Sequence, residues 1–344
     1  MLDDLKWIHE KDPVGTLEIA ARQCQQLTHK YALAAADFGT IQNVVLGGMG
    51  GSALSALMAR SWPALSRPFE TVRDYNLPTY VGQGTLFIAS SYSGNTEETL
   101  AALQEAEARG AHIAVMAAGG KLAEIAAEKH YLFAHLPPAD QPRYAVFYSY
   151  KALLDILANI GVVESAAYAD ELARAAAFVE KACAAWAPEV PSSQNPAKQL
   201  AQEIMGKSIV IYAGPKMFPA AYKWKISCNE NAKHIAWCNQ LPEFNHNEFI
   251  GWSSQPVDKP YAVVDLRSTL EHPRVQKRFE VTERLLSGMR PAPHVVQAQG
   301  ETVLEQLLWT IVFGDFVSLY LALLNGVDPA PVDLVERFKK ALNE

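Results

Sequence analysis

The feature that most constrains this chain is a unit that recurs through its first half: a short apolar run, a turn of small residues, then a stretch rich in Ala, Leu, Glu and Lys. The runs Asn43–Leu46, Phe69–Arg73, Thr85–Ala89, His112–Ala117 and Tyr131–Ala134 read as strands. Between them, Ser52–Arg60, Glu97–Arg109 and Lys121–Lys129 read as helices that follow Gly, Ser or Thr positions able to start them. Strands that alternate with helices are joined by crossovers and lie parallel, so the pattern predicts an α/β fold built on a parallel sheet.

The second half repeats the plan more loosely, with strands at Ser208–Ala213, Tyr261–Asp265 and His294–Gln297 and helices near Phe218–Ile226, Pro273–Ser287 and Val303–Leu324. At 344 residues the chain exceeds the roughly 250–300 at which one hydrophobic core stops growing, which also predicts two domains. A polar, Pro-containing stretch from Ala187 to Pro196 interrupts helical sequence as a linker would. The expected division is 1–186, an N-terminal extension with the first domain; 187–197, the linker; and 198–344, the second domain with C-terminal helices.

Charge and cysteine usage narrow the class. Thirty basic against 37 acidic residues give a net charge of −7 with no basic stripe, which argues against a nucleic-acid partner. Cys24, Cys183, Cys228 and Cys238 lack the paired spacing of a zinc site and are too few for a disulfide scaffold, so a reducing cytoplasm is expected. The N-terminus shows no basic segment leading into an apolar run, so no targeting peptide is expected. The apolar stretch Trp309–Leu324 is broken by Gly314, Asp315, Ser318 and Tyr320, which reads as a buried helix rather than a membrane span.

Two segments carry the first chemistry. Val44-Val45-Leu46-Gly47-Gly48-Met49-Gly50-Gly51-Ser52 runs from a buried strand through glycines into a helix, where Gly50, Gly51 and Ser52 could offer backbone N–H groups to an anion. A tight strand-to-helix turn would use the same glycines, and this segment alone does not separate the two. Ser90-Ser91-Tyr92-Ser93-Gly94-Asn95-Thr96-Glu97-Glu98-Thr99 follows the same plan, with Ser91, Ser93 and Thr96 able to surround an anion at the helix start. Thr96 with Thr99 would also make an imperfect capping box, but four hydroxyls and a Gly in seven positions exceed what capping needs. The second half offers only Gly214-Pro215-Lys216 and Leu266-Arg267-Ser268-Thr269 as counterparts, so an anion site is expected in the first half alone.

The pair Gly-x-Gly-Gly-Ser and Ser-Tyr-Ser-Gly-Asn-Thr-Glu-Glu-Thr resembles the sugar isomerase (SIS) domain, and the chain from about Gly47 to Lys340 resembles the bifunctional phosphoglucose/phosphomannose isomerase family. The resemblance implies two SIS-type subdomains, each a parallel sheet flanked by helices in a three-layer sandwich. It implies a phosphorylated hexose substrate, no cofactor, no membrane and a homodimer with a shared active site. It further implies that Arg143, after Pro142, lies at the active site, where a cation can stabilise an enediolate oxygen. Glu230, in Cys228-Asn229-Glu230-Asn231-Ala232-Lys233, resembles the catalytic base, and His246, in Glu243-Phe244-Asn245-His246-Asn247-Glu248, the ring-opening residue. Without the resemblance these segments read as solvated loops, and Glu248 stands two residues from His246 as a rival carboxylate ranked below Glu230.

In the last helix a lysine is implied to reach the sugar, and spacing from Pro331 and to Leu342 favours Lys339 over its neighbour Lys340. Val332 falls where a small side chain is expected. The implied activity is reversible isomerisation of glucose 6-phosphate and mannose 6-phosphate to fructose 6-phosphate through a cis-enediolate. No metal is expected, since the nine histidines include no His-x-His or His-Glu-x-x-His array. Two other readings stand beside it. An isomerase of the glucosamine-6-phosphate synthase kind would need a separate ammonia source, as no Cys follows Met1. A sugar-phosphate-sensing module would keep the hydroxyl turn without a use for Glu230 and His246.

Overall fold

The computed structural model describes residues 1–63, 65–139, 141–163, 165–254 and 260–342, and the chain divides into two units, Arg22–Phe178 and Val179–Glu344 together with Met1–Ala21. In the first, strands β1 (Asn43–Gly47), β2 (Phe69–Val72), β3 (Thr85–Ser90), β4 (His112–Ala117) and β5 (Leu132–His135) form a wholly parallel sheet in the order β2-β1-β3-β4-β5. Every expected strand is present within two residues of its predicted bounds. In this order the chain reverses its direction of progress between β1 and β3, and such a switch point opens a crevice beyond the carboxyl ends of those two strands. Both small-residue turns leave from those two ends.

Alternating side chains bury both faces. Val45, Phe87 and Val115 pack with Ala102, Leu103 and Ala106 of α2 (Glu97–Ala108) and Leu122 and Ala126 of α3 (Gly120–Glu128), whereas Val44, Leu46, Leu86, Ile88, Ala114 and Met116 are buried on the opposite face. There α1 (Gly50–Ser61) packs against α4 (Val146–Asn159), completing three layers.

The second unit is also wholly parallel, β6 (Ser208–Ala213), β7 (Ala236–Gln240), β8 (Tyr261–Arg267) and β9 (His294–Gln297) lying in the order β7-β6-β8-β9. The edge strand β7 is absent from the sequence expectation, because Ala-Trp-Cys-Asn-Gln shows neither a continuous apolar run nor a clean alternation. The division differs from the expected one in three respects: residues 179–186 already belong to the second unit, and the other two concern residues 1–21 and the 187–197 stretch. Residues 1–21 belong with the second unit, where Asp3 accepts hydrogen bonds from the backbone and side chain of Ser192, both at 2.8 Å, and from Lys198 Nζ at 3.1 Å. The 187–197 stretch is a built part of that unit rather than a tether. Asn195 caps α5 (Pro196–Ile204) by accepting from the backbone N–H groups of Ala197 and Lys198, and the buried Lys198 ammonium donates to the carbonyls of Pro188 and Val190 at 2.8 Å.

The apolar C-terminal run forms α8 (Val303–Leu324), with α6 (Phe218–Glu230) and α7 (Pro273–Leu285) preceding it in the chain. It has the length and hydropathy of a membrane span, but 89% of its most apolar window is buried within the protein. Each residue that breaks the run has a partner. Any Cβ at Gly314 would lie 2.1 Å from Trp224 Nε1, so the glycine admits the indole of α6, which donates to the Thr310 carbonyl at 2.7 Å. Asp315 accepts from Lys223 Nζ and from Ser227 Oγ at 2.7 Å, Ser318 Oγ accepts from Asn231 Nδ2 at 2.9 Å, and the Tyr320 hydroxyl donates to the Trp186 carbonyl. A polar seam therefore binds α6 to α8.

Lys223 and Asp315 are 1% and 0% exposed. Asp315→Leu is expected to cost about 3–5 kcal/mol in urea unfolding, because it strands a buried ammonium, whereas Lys223→Met combined with Asp315→Leu should recover most of that loss. Equal losses in the single and double variants would show that the charges do not act as a pair.

Candidate active site

The site in the first unit is assembled from three turns beyond the carboxyl ends of the sheet. Gly48 continues β1, its N–H donating to the Val72 carbonyl at 3.1 Å, and a Cβ there would come within 2.7 Å of the Ser90 carbonyl oxygen. Only a glycine lets the two turns lie so close. Next, α1 begins at Gly50 with no side-chain cap from Met49, leaving Gly50 and Gly51 at an uncapped helix N-terminus. Ser52 ties this turn to the second: its Oγ accepts from the Tyr92 N–H at 3.3 Å, and its carbonyl accepts from Ser90 Oγ at 3.2 Å.

In the second turn Ser91 and Thr96 share a hydrogen bond of 2.7 Å between hydroxyls, and Ser93 Oγ lies 3.5 Å from Ser91 Oγ. The Gly94 N–H donates to Ser91 Oγ at 3.2 Å and the Asn95 N–H to Ser93 Oγ at 3.3 Å. Gly94 has φ +69°, and a Cβ on it would collide with the Gly119 carbonyl. Thr96 occupies the N-cap of α2 but makes no capping bond, and Thr99 Oγ1 is buried with no hydrogen-bond partner among the described residues. The capping-box alternative is thereby removed: the hydroxyls face one another rather than the helix backbone.

Arg143 completes the group. It lies in the turn Pro142–Tyr144, 2% exposed, with its guanidinium 4.8 Å from the centre of the Tyr144 ring and Nη1 donating to Gln141 Oε1 at 3.4 Å. A Cβ at Gly51 would stand 3.7 Å from both Arg143 Cα and the Pro142 carbonyl, so this turn packs against the start of α1. The Gly50-Gly51-Ser52 and Ser91-Ser93-Thr96 turns thus lie together, with the backbone of the Arg143 turn packed against the start of α1. Uncapped N–H groups, hydroxyls and a guanidinium suit a tetrahedral anion.

In the second unit the implied residues stand on three separate segments. Glu230 is the last residue of α6, half-buried, and its register is set by the seam with α8. Just beyond it Lys233, at φ +51°, donates from Nζ to the carbonyls of Asp328 at 2.6 Å and Pro329 at 3.2 Å, tying the Glu230 turn to the loop before α9 (Asp333–Ala341). Cys228 is fully buried, and burial pushes its thiol up to about 12, so it offers no thiolate nucleophile beside Glu230. His246 ends the turn Glu243–His246 and is exposed.

Lys339 is exposed on α9 and donates to Glu336 Oε1 at 2.7 Å, one turn earlier on the same helix. No residue of α9 is buried, so packing does not choose between Lys339 and Lys340. Val332 is the N-cap of α9 and half-buried. The rival carboxylate Glu248 is otherwise engaged: its two oxygens accept from the Tyr212 hydroxyl and from Asn239 Nδ2.

The second unit also contains what the sequence missed at its own switch point. Where the first unit has the open α1 turn, Glu271 folds in, its Oε1 accepting from the backbone N–H of Lys216 at 2.8 Å and of Met217 at 3.2 Å. Gly214 is required there, since a Cβ would lie 2.5 Å from the Glu271 carboxyl carbon. The signal available in the sequence was Gly214 itself, followed by no hydroxyl-rich turn.

Residues 193–342 match the family described as bacterial phospho-glucose isomerase C-terminal SIS domain. The chain is 36% identical over 308 residues to a bifunctional phosphoglucose/phosphomannose isomerase of Caldicellulosiruptor bescii, covering 88% of this chain and 90% of the relative. It is 32% identical over 313 residues to the protein of the same name from Aquifex aeolicus, covering 90% and 93%. Among solved structures it is similar to a glucose-6-phosphate isomerase like protein from Thermus thermophilus, with TM-score 0.66, 18% identity and 98% of each chain covered. It is also similar to the C-terminal domain of glucosamine-fructose-6-phosphate aminotransferase from Francisella tularensis, with TM-score 0.63, 14% identity and 95% and 97% covered. These two likenesses show the fold.

Inorganic phosphate at 100 times its dissociation constant is expected to stabilise the protein by about 2.7 kcal/mol, read as a rise in melting temperature. Ser91→Ala combined with Thr96→Val should abolish that rise; an undiminished rise would place the anion elsewhere.

Proposed function

The chain belongs to the bifunctional phosphoglucose/phosphomannose isomerase family and isomerises glucose 6-phosphate and mannose 6-phosphate; we propose that it forms fructose 6-phosphate through a cis-enediolate, without a metal. The hydroxyl turn supports this reading most directly, because it gathers more hydroxyls than helix capping uses and leaves them facing one another. The phosphate is held by Ser91, Ser93 and Thr96 with the Gly50-Gly51-Ser52 turn. Being a non-reacting group, it contributes binding and orientation rather than chemistry.

His246 opens the sugar ring, assisted by Lys339. Glu230 takes the proton from C2 of the open aldose, giving the enediolate, and returns it at C1. Arg143 offsets the negative charge on the enediolate oxygens. Because the intermediate has lost the configuration at C2, return of a proton there from either face gives glucose or mannose, so one base serves both aldoses. Among the described residues no group of three His, Cys, Asp or Glu side chains is placed to hold a metal ion. The sensing reading is not favoured, since the relatives at 36% and 32% identity are named as isomerases.

Assembly as a homodimer is part of the same reading. On α9, Leu334, Val335 and Phe338 are exposed on a helix with no buried residue, as is Leu342 at its C-cap, and Ile250, four residues after His246, is 71% exposed. Apolar side chains left in water at this density favour a protein partner.

In a coupled assay with EDTA present, Glu230→Gln should lower kcat by about 10²- to 10⁴-fold while leaving sugar-phosphate binding within a few-fold, since the amide keeps the shape but accepts no proton. Turnover within a few-fold of wild type would exclude Glu230 as the base, and activity that needs added zinc would exclude the metal-free route. Shared sites have a separate test. Glu230→Gln and His246→Ala subunits, each inactive, should regain about half of wild-type activity per heterodimer when mixed, because one site then joins an intact Glu230 to an intact His246 of the other chain. Continued inactivity of a heterodimer verified by mass spectrometry would place both residues of a site in one chain.

A further inference from the structure

The segment Asn245-His246-Asn247-Glu248 is tied to the rest of the second unit on both sides of its histidine, through Asn245 and Glu248. Asn245 donates from Nδ2 to Thr282 Oγ1 at 2.9 Å and accepts at Oδ1 from Arg278 Nη1 at 3.2 Å, both partners on α7. Asn247 donates to Glu243 Oε1 at 2.6 Å and accepts from the Glu248 N–H at 2.6 Å. Glu248 reaches the sheet: Oε1 accepts from the Tyr212 hydroxyl and Oε2 from Asn239 Nδ2 at 2.6 Å. Tyr212 and Asn239 stand opposite each other in the register of β6 and β7, so the carboxylate bridges two neighbouring strands.

Tyr212 is itself fixed. It is 1% exposed, its ring lies 4.5 Å from that of Phe244, and its oxygen accepts from Trp252 Nε1 at 3.1 Å. Burial, reinforced by the Glu248 carboxylate, raises the pKa of its phenol well above the ordinary value, so it remains a donor across the working pH range. The His246 ring, by contrast, makes no hydrogen bond among the described residues and faces solvent. The segment is hydrogen-bonded on both sides of a ring whose two nitrogens are both open.

We propose that Glu248 is a positioning residue: through Tyr212 and Asn239 it fixes the turn that ends at His246 and so presents the imidazole for proton transfer. This rests on the reading of His246 as the ring-opening group. Loss of about 1 Å in the placement of a proton-transfer group costs on the order of 10²-fold in rate, while binding through the phosphate is untouched. The role therefore predicts an effect on kcat and not on KM.

The test compares Glu248→Ala, Glu248→Gln, His246→Ala and the His246→Ala, Glu248→Ala double variant, with circular dichroism and melting to verify folding. Glu248→Ala should lower kcat about 10- to 100-fold with KM within 2-fold. Glu248→Gln should recover much of the loss, since its amide oxygen still accepts from Tyr212. The double variant should be no slower than His246→Ala, because nothing remains to be positioned. Wild-type kcat in Glu248→Ala, or losses that multiply in the double variant, would overturn the proposal while leaving His246 in its role. Wild-type kcat in His246→Ala would instead remove that role and the proposal with it. Should Glu248→Ala fail to fold, Tyr212→Phe, which deletes one donor and keeps the ring, should show the same kcat loss in smaller measure; an unchanged kcat there would count equally against the proposal.

Discussion

The second unit depends on the bond between Lys223 and Asp315. Two charges at 1% and 0% exposure tolerate no arrangement in which they part, and Ser227 adds a further bond to the same carboxylate. Sliding α6 along α8 by one turn, about 5.4 Å, would separate the pair, drive the Trp224 indole out of the space left by Gly314 and break Asn231 from Ser318. The helices therefore have one register. Glu230 lies two turns beyond Lys223 on α6 and inherits it, so the carboxylate at the helix end is aimed by charges buried about 10 Å away along the axis. Replacing the seam by apolar residues could keep the stability, but the apolar stripe that remained would define the register less sharply.

Much of this arrangement was legible because it is local in sequence. The first-unit strands follow from apolar runs broken by small residues, and the hydroxyl turn is a continuous stretch whose density of Ser, Thr and Gly exceeds what helix capping needs. What joins distant positions was not legible. The residues that interrupt the apolar run at 309–324 show that α8 is buried, but nothing in the run says that Lys223 and Asn231 are their partners. Likewise Tyr212, Asn239 and Glu248 become neighbours only through the pairing of β6 with β7, and β7 is itself masked by polar residues that the sheet turns toward Glu248. The segment that holds Glu248 reads as solvated because it is polar, and Asn239 is polar in the same way. Asn239 and Glu248 are half-buried because each satisfies the other.

The stretch 187–197, read from composition as a linker, is built into the second unit by contacts that are likewise not local. Pro and Asn at 188–196 have the composition of a linker, yet the same residues make a helix cap and carbonyl acceptors for a buried ammonium. Composition reports the backbone conformations a segment can adopt; it does not report whether a cation such as Lys198 then folds into it. Asp3 completes that cluster from the far end of the chain, which no local reading anticipates.

The two units differ most informatively at their switch points. Each sheet presents the same opportunity, a strand end running through a glycine into a helix whose first N–H groups need an acceptor. In the second unit the protein supplies its own anion: Glu271 is 5% exposed and takes the N–H groups of Lys216 and Met217, with burial raising its carboxyl pKa against the pull of those donors. In the first unit, Met49 offers no side-chain cap, and the nearby acceptors are neutral hydroxyls that donate as readily as they accept. A phosphate must accept several hydrogen bonds at once, so it suits the hydroxyl-lined turn of the first unit and is repelled by the carboxylate that already fills the turn of the second. On the proposed reading the duplicated fold has one anion site instead of two, the difference resting on a glutamate in one copy and a cluster of serine and threonine hydroxyls in the other.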